Sequence, residues 1–119
     1  MASMLIHIHT GPENPTKCAL GLLIGLTAAK EGHEVSLFLA GDAVHLLSPD
    51  HADTTGTGTG RVGDHLAGLQ EQNVPMFLSG MSAKARGYDD ALIVDYNASF
   101  AMPPKLIELT VSADKVLCY

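Results

Sequence analysis

Two serines, one cysteine and two histidines hold the positions in this sequence where chemistry would be done. Ser79 and Ser82 stand three apart in Ser79-Gly80-Met81-Ser82, directly after the apolar run Val74 to Leu78, and Lys84 and Arg86 follow within one helical turn. Hydroxyls at a strand-to-helix turn either accept backbone N–H groups and close the turn or, beside a base, act as nucleophiles. The capping role is the commoner one and is the one expected here. Cys18 follows Lys17 in the opening of an expected helix. A helix N-terminus and a neighbouring cation both favour thiolate, whereas the usual fate of a free cysteine is burial as a small apolar group. His7 and His9 share one face of a strand by their spacing, and His9, at the strand end, is the better placed for acid–base work. No H-E-x-x-H or C-x-x-C pattern accompanies the histidines, so no metal site is expected.

Two further motifs dissolve on inspection. Gly58-Thr59-Gly60-Arg61-Val62-Gly63 has the G-x-G-x-x-G spacing, but no strand precedes it, and Ala83 stands roughly twenty residues on, where a ribose-binding acid belongs. The Thr-Gly run Thr55 to Gly60 reads instead as a mobile loop leading into a helix. Asn97-Ala98-Ser99 has the form of a glycosylation acceptor, but no secretion signal goes with it.

The elements that must position these groups alternate. Leu5 to His9, Glu34 to Ala40, Pro75 to Leu78, Ala91 to Asp95 and Val116 to Cys118 read as strands. Helices are expected from Pro15 to about Glu31, over the short stretch Val44 to Leu47, from Val62 to Gln72 and from Pro103 to Ala113, the last with Leu106, Ile107 and Leu109 facing inward. Pro15 suits a first helical turn, where its missing N–H needs no partner, and Gly32 suits a helix stop. The first helix is apolar almost all round, which predicts burial against a sheet and against a further surface, such as a subunit. This alternation predicts an α/β protein, a three-layer α/β/α sandwich of the flavodoxin-like class with a mainly parallel sheet of about five strands. In such sheets ligands gather beyond the carboxyl ends of the strands. Here those ends are His9-Thr10-Gly11, Ala40-Gly41-Asp42, Ser79-Gly80 and Tyr96-Asn97.

Composition narrows the functions. The 119 residues fit one domain, and 46% hydrophobic residues support a packed core. A formal net charge of −6 argues against nucleic acid as a partner, because that binding neutralises phosphates with Lys and Arg. No apolar run approaches the ~20 residues that span a bilayer. Two cysteines make no disulfide framework, so a cytoplasmic location is expected.

Val74 to Gly87 resembles the strand–loop–helix segment of the DsrE/DsrF-like (DsrEFH) sulfur-relay family. Gly11-Pro12-Glu13-Asn14-Pro15-Thr16-Lys17, Gly32-His33-Glu34-Val35, Phe38-Leu39-Ala40-Gly41-Asp42 and Ala113-Asp114-Lys115-Val116-Leu117 follow in the family's order. The resemblance implies a single domain over residues 1–119 with a DsrEFH-like fold, and a homo-oligomer, trimer or hexamer. The strand ends and the helix starts beside them place a ligand rim at His9, Asn14, Lys17, Asp42, Ser79, Gly80, Met81, Ser82, Lys84 and Arg86, where helix N-termini and the Lys84 and Arg86 charges would attract an anion. Family members that relay sulfur carry cysteine where this chain has Ser79 and Ser82, and a serine hydroxyl forms no persulfide. The expectation is therefore a protein without cofactor or metal that binds a small anion, a sulfur species or a partner protein, rather than an enzyme. One alternative is a persulfide carrier working through Cys18. The other is a small hydrolase pairing His9 or Asp42 with Ser79 or Ser82.

Overall fold

The computed structural model describes residues 1–119. Five strands form one sheet in the order β6-β5-β2-β1-β7: β1 (Ser3–Ile8), β2 (Glu34–Leu39), β5 (Met76–Ser79), β6 (Ala98–Ala101) and β7 (Lys115–Cys118). All neighbouring pairs are parallel, so all five carboxyl ends meet on one rim. The helices are α1 (Pro15–Lys30), α2 (Val62–Glu71), α3 (Gly80–Ala85) and α4 (Pro103–Ser112), and β3 (Thr55–Gly56) with β4 (Gly60–Arg61) makes a small antiparallel hairpin. A 3-10 helix, Gly41–Leu47, follows β2.

Local chemistry sets α1. The Asn14 side chain accepts the Lys17 N–H at 3.2 Å, Pro15 occupies the first turn, and Gly32 leaves the helix with φ +89°. Gly21 lets the helix lie close on the sheet, because a Cβ there would come within 3.1 Å of Ile8 and Tyr119. Its other side is covered by α2, where Leu26 lies against Gly68, and by the hairpin. Much of the apolar character of α1 is thus used within the chain, while Leu20, Leu23 and Ile24 stay partly exposed.

Side-chain alternation divides the sheet into unlike faces. Ile6, Ile8, Leu37, Leu39, Met76 and Leu78 point toward α1 and α2 and belong to a core of 21 buried residues. Leu5, His7, Phe38 and Phe77 point the other way. On that side runs α4, with Lys105 Nζ 5.1 Å above the Phe77 ring. No residue of α4 is fully buried. Leu106 and Leu109 are half-buried, but Ile107 is 63% exposed, against the expectation that it faces inward.

Two more expectations change. Ala91 to Asp95 is not a strand. Asp89 caps a short 3-10 helix, Asp90–Leu92, by accepting the Ala91 N–H at 3.0 Å, and Leu92 turns into the core. The edge strand is β6, whose Ala98 and Ser99 carry too little apolar weight to show as a strand pattern. Tyr96-Asn97 therefore lies at its amino end, and Ala101-Met102 takes its place on the rim. The Thr-Gly run is pinned rather than loose. Thr57 N–H donates to Thr16 Oγ1 at 3.0 Å, Thr59 Oγ1 donates to the Thr16 carbonyl at 3.1 Å, and His65 Nε2 donates to the Thr59 carbonyl at 2.7 Å.

Candidate functional site

The rim is built around a latch between the turn after β2 and the turn after β5. Ser79 is the N-cap of α3, its Oγ accepting the Ser82 N–H at 3.1 Å. Ser82 Oγ in turn accepts the Gly41 N–H at 2.9 Å, and Gly41 has φ +58°, a conformation glycine adopts without strain. Arg86 closes the latch from the end of α3. Its Nε and Nη2 donate to Asp42 Oδ1 at 3.1 and 3.0 Å, and its Nη1 donates to the Ser82 carbonyl at 3.1 Å. Gly11, after β1, packs against the backbone of Asp42 so closely that a Cβ would collide with it.

This geometry brings Asp42, Ser79, Gly80, Ser82 and Arg86 together and assigns most of their polar atoms to backbone work. The Arg86 charge, expected to attract an anion, is balanced by Asp42. Neither serine hydroxyl is hydrogen-bonded to a histidine: His9 lies exposed beside the His7 ring at 5.3 Å, and His45 Nδ1 pairs with the Tyr88 hydroxyl at 2.6 Å. The dyad that a hydrolase needs is missing from this arrangement. Met81 and Met102, 60% and 54% exposed, flank the rim as apolar surface, and Met102 Sδ stands 3.7 Å from where a Gly80 Cβ would sit.

Asn14, Lys17 and Cys18 form a separate group at the start of α1. The Cys18 environment is the reverse of a thiolate-favouring one. It is fully buried, its Sγ is 3.4 Å from the Pro15 carbonyl, and burial pushes the thiol pKa up. Its helical position promised a low pKa, but burial in the core removes the water that ionisation would need. Lys84 also leaves the latch and lines a cavity beside β6 with Tyr88, Asp89 and Asp90.

Cys118, His45 and Tyr88 escaped sequence reasoning. Cys118 is an exposed thiol at the carboxyl end of β7, opposite His7 in the strand register. Once β7 is taken as parallel to β1, its position in the strand would have put it on the rim. His45 and Tyr88 are 43 positions apart, and no spacing announces their contact. His7 is half-buried with Nε2 lacking any partner, and burial, reinforced by His9, lowers its pKa.

An all-parallel, helix-covered sheet whose five carboxyl ends share one rim defines a doubly wound α/β protein, with the turns after β2 and β5 shaping that rim. The profile of the DsrE/DsrF-like family matches residues 2–119, and the chain belongs to that family. Among solved structures it is similar to the crystal structure of the ychN protein from E. coli, with a TM-score of 0.85 and 24% identity over 100% of both chains. That likeness establishes the fold. No curated protein matches the chain.

Proposed function

We propose that this protein is a non-covalent binding member of its sulfur-relay-related family. On this reading the rim around Ser79, Gly80, Met81, Ser82 and Asp42 receives a partner protein, a sulfur species or a small anion without forming a persulfide. One observation carries the reading: at the turn where the family's cysteines would stand the serine hydroxyls are committed to the Ser82 and Gly41 N–H groups, and Cys18 is committed to a dry interior. Among the occupants, the flanking Met81 and Met102 favour a protein surface, because adaptable thioethers suit contact with another chain and the Arg86 cation is already paired with Asp42. A homo-oligomer, trimer or hexamer, belongs to the same reading. Its support is apolar surface on α4 and β7: Ile107, Val111, Val116 and Leu117 are 63%, 81%, 38% and 37% exposed. A cytoplasmic location fits a chain with no helix long and apolar enough to cross a membrane.

Intact-mass measurement after incubation of the native protein with a persulfide donor tests the proposal. The expected result is no added sulfur on Cys18. A gain of one sulfur that disappears in Cys18→Ser would overturn it and restore the carrier reading. A gain that survives Cys18→Ser and disappears in Cys118→Ser would support a second reading, in which the carrier thiol is Cys118. The exposure of that thiol on the rim strand favours this second reading over one through Cys18.

A further inference from the structure

We infer that the cavity between α3 and the edge strand β6 is a binding site for a compact zwitterion of the amino-acid type with an apolar side chain. The site adjoins the proposed rim, sharing Gly80 with it, but its occupant and its charges are separate from that proposal. The cavity has a volume of about 360 Å³. That lies at the small end of the ~300–1,000 Å³ typical of ligand pockets, so a compact occupant is indicated. Phe100, Tyr88 and Ala83 provide apolar and aromatic wall, while Lys84, Asp89 and Asp90 bring charges of both signs to the same space.

Those charges are uncommitted. None of Lys84, Asp89 and Asp90 takes part in the ion pairs of the chain, which join Asp42 to His45 and Arg86, Arg61 to Asp53 and Asp64, and Lys105 to Glu108. Asp89 Oδ1 accepts the Ala91 N–H, and the cap makes no use of its second oxygen. Two carboxylates against one ammonium disfavour a dianion such as a phosphate ester. A simple monocation would leave Lys84 facing like charge. A molecule carrying both a carboxylate and an ammonium group satisfies both signs: its carboxylate toward Lys84, its ammonium toward Asp89 and Asp90 with the aromatic faces alongside.

The wall is also held in place without a ligand. The Tyr88 hydroxyl is 2.6 Å from His45 Nδ1, and the two rings meet edge to face at 5.4 Å. Tyr88 N–H donates to the Ala83 carbonyl at 3.0 Å, and Gly87 N–H donates to the Lys84 carbonyl at 3.1 Å. Tyr88 is thus fixed by contacts to α3 and to the 3-10 helix after β2, and Asp89 caps the short 3-10 helix that follows. A pre-formed wall lowers the ordering cost of binding.

Isothermal titration calorimetry of the full chain with L-leucine, L-methionine and L-phenylalanine at millimolar concentration tests the site, alongside N-acetyl-leucine and leucine amide. At least one free amino acid should bind, and each blocked leucine should bind about tenfold more weakly than leucine, since each loses one charge-assisted contact. Lys84→Met should erase the preference over the amide, and Asp90→Asn should reduce the preference over the N-acetyl form; both residues are exposed, so thermal unfolding of these variants should match the parent. Absence of heat with all three amino acids overturns the inference. So does equal binding of leucine and its blocked forms, or a charge preference that both substitutions leave intact.

Discussion

The two faces of the sheet are built to different standards. The face toward α1 and α2 is close-packed: Ile6, Ile8, Leu37, Leu39 and Leu78 are all at 0% exposure, and both helices and the pinned hairpin lie over it. The face toward α4 is thin. One helix crosses it with no fully buried residue, and between that helix and β1 and β2 lies a cavity of about 250 Å³ lined in part by Ser3, Glu34, Ser36 and Leu109. His7 Nε2 sits on this face without a hydrogen-bond partner. The difference teaches where stability and where recognition reside. A packed face of aliphatic side chains carries most of the folding free energy, and a half-covered one retains apolar surface that another chain can bury.

The two cysteines report that difference most sharply. Cys18 belongs to the packed side and Cys118 to the thin one. Iodoacetamide should label Cys118 at the rate of a free thiol and Cys18 about a thousandfold more slowly, the ratio expected when reaction waits on opening that costs ~4 kcal/mol. Equal rates would break the comparison. Slow labelling of Cys118 that becomes fast in Val111→Glu would sharpen it, by showing that another copy covers the thin face.

Urea denaturation gives the next largest effect. Leu37→Ala should cost about 2–5 kcal/mol, because a fully buried side chain on a face that cannot collapse leaves a cavity. Ile107→Ala, at 63% exposure on α4, should stay within about 0.5 kcal/mol for the monomer. Similar losses at both positions would mean that the faces are equally packed.

The thin face should also carry a pH dependence. Because burial depresses the His7 pKa, the folded protein resists protonating a ring that the unfolded chain protonates readily. The contribution is fully present above the unfolded value of about 6.5 and is lost as pH falls below it toward the depressed folded value. Stability measured from pH 7.5 to 5.5 should therefore fall less in His7→Phe than in the parent, by at most the slope of one proton. An unchanged slope would remove His7 from the account.

The smallest effect is expected at the latch, where the faces share the rim. Asp42→Asn should cost under about 1 kcal/mol, since its pair with Arg86 is half-exposed and screened. A larger loss would show that the latch, rather than the packed face, holds the turns together.

Some of this was legible in the residues. The alternation of short apolar runs with helical patterns carries the α/β class, since period and length are local properties. Asn14-Pro15 and Gly32 bound α1 because capping and positive φ are decided within a few residues. Ser79 as a cap follows from its place between a strand and a helix. Edge strand β6 was not legible, because Ala98-Ser99-Phe100-Ala101 gains its strand character from pairing with β5 rather than from its own composition.

What remained was decided by the tertiary structure, and the reason is distance along the chain. Whether Cys18 ionises depends on the core that buries it, drawn from strands and helices distant in sequence. Whether Arg86 offers a free charge depends on Asp42, 44 positions away. The His45–Tyr88 contact, the rim position of Cys118 and the exposure of Ile107 likewise rest on parallel pairing and on a helix that covers only part of its face. The sequence by itself determined the alternation of strands and helices and the bounds of α1. Which side chains are spent on holding those elements together, and which are left for a partner, was set only when the strands came into register.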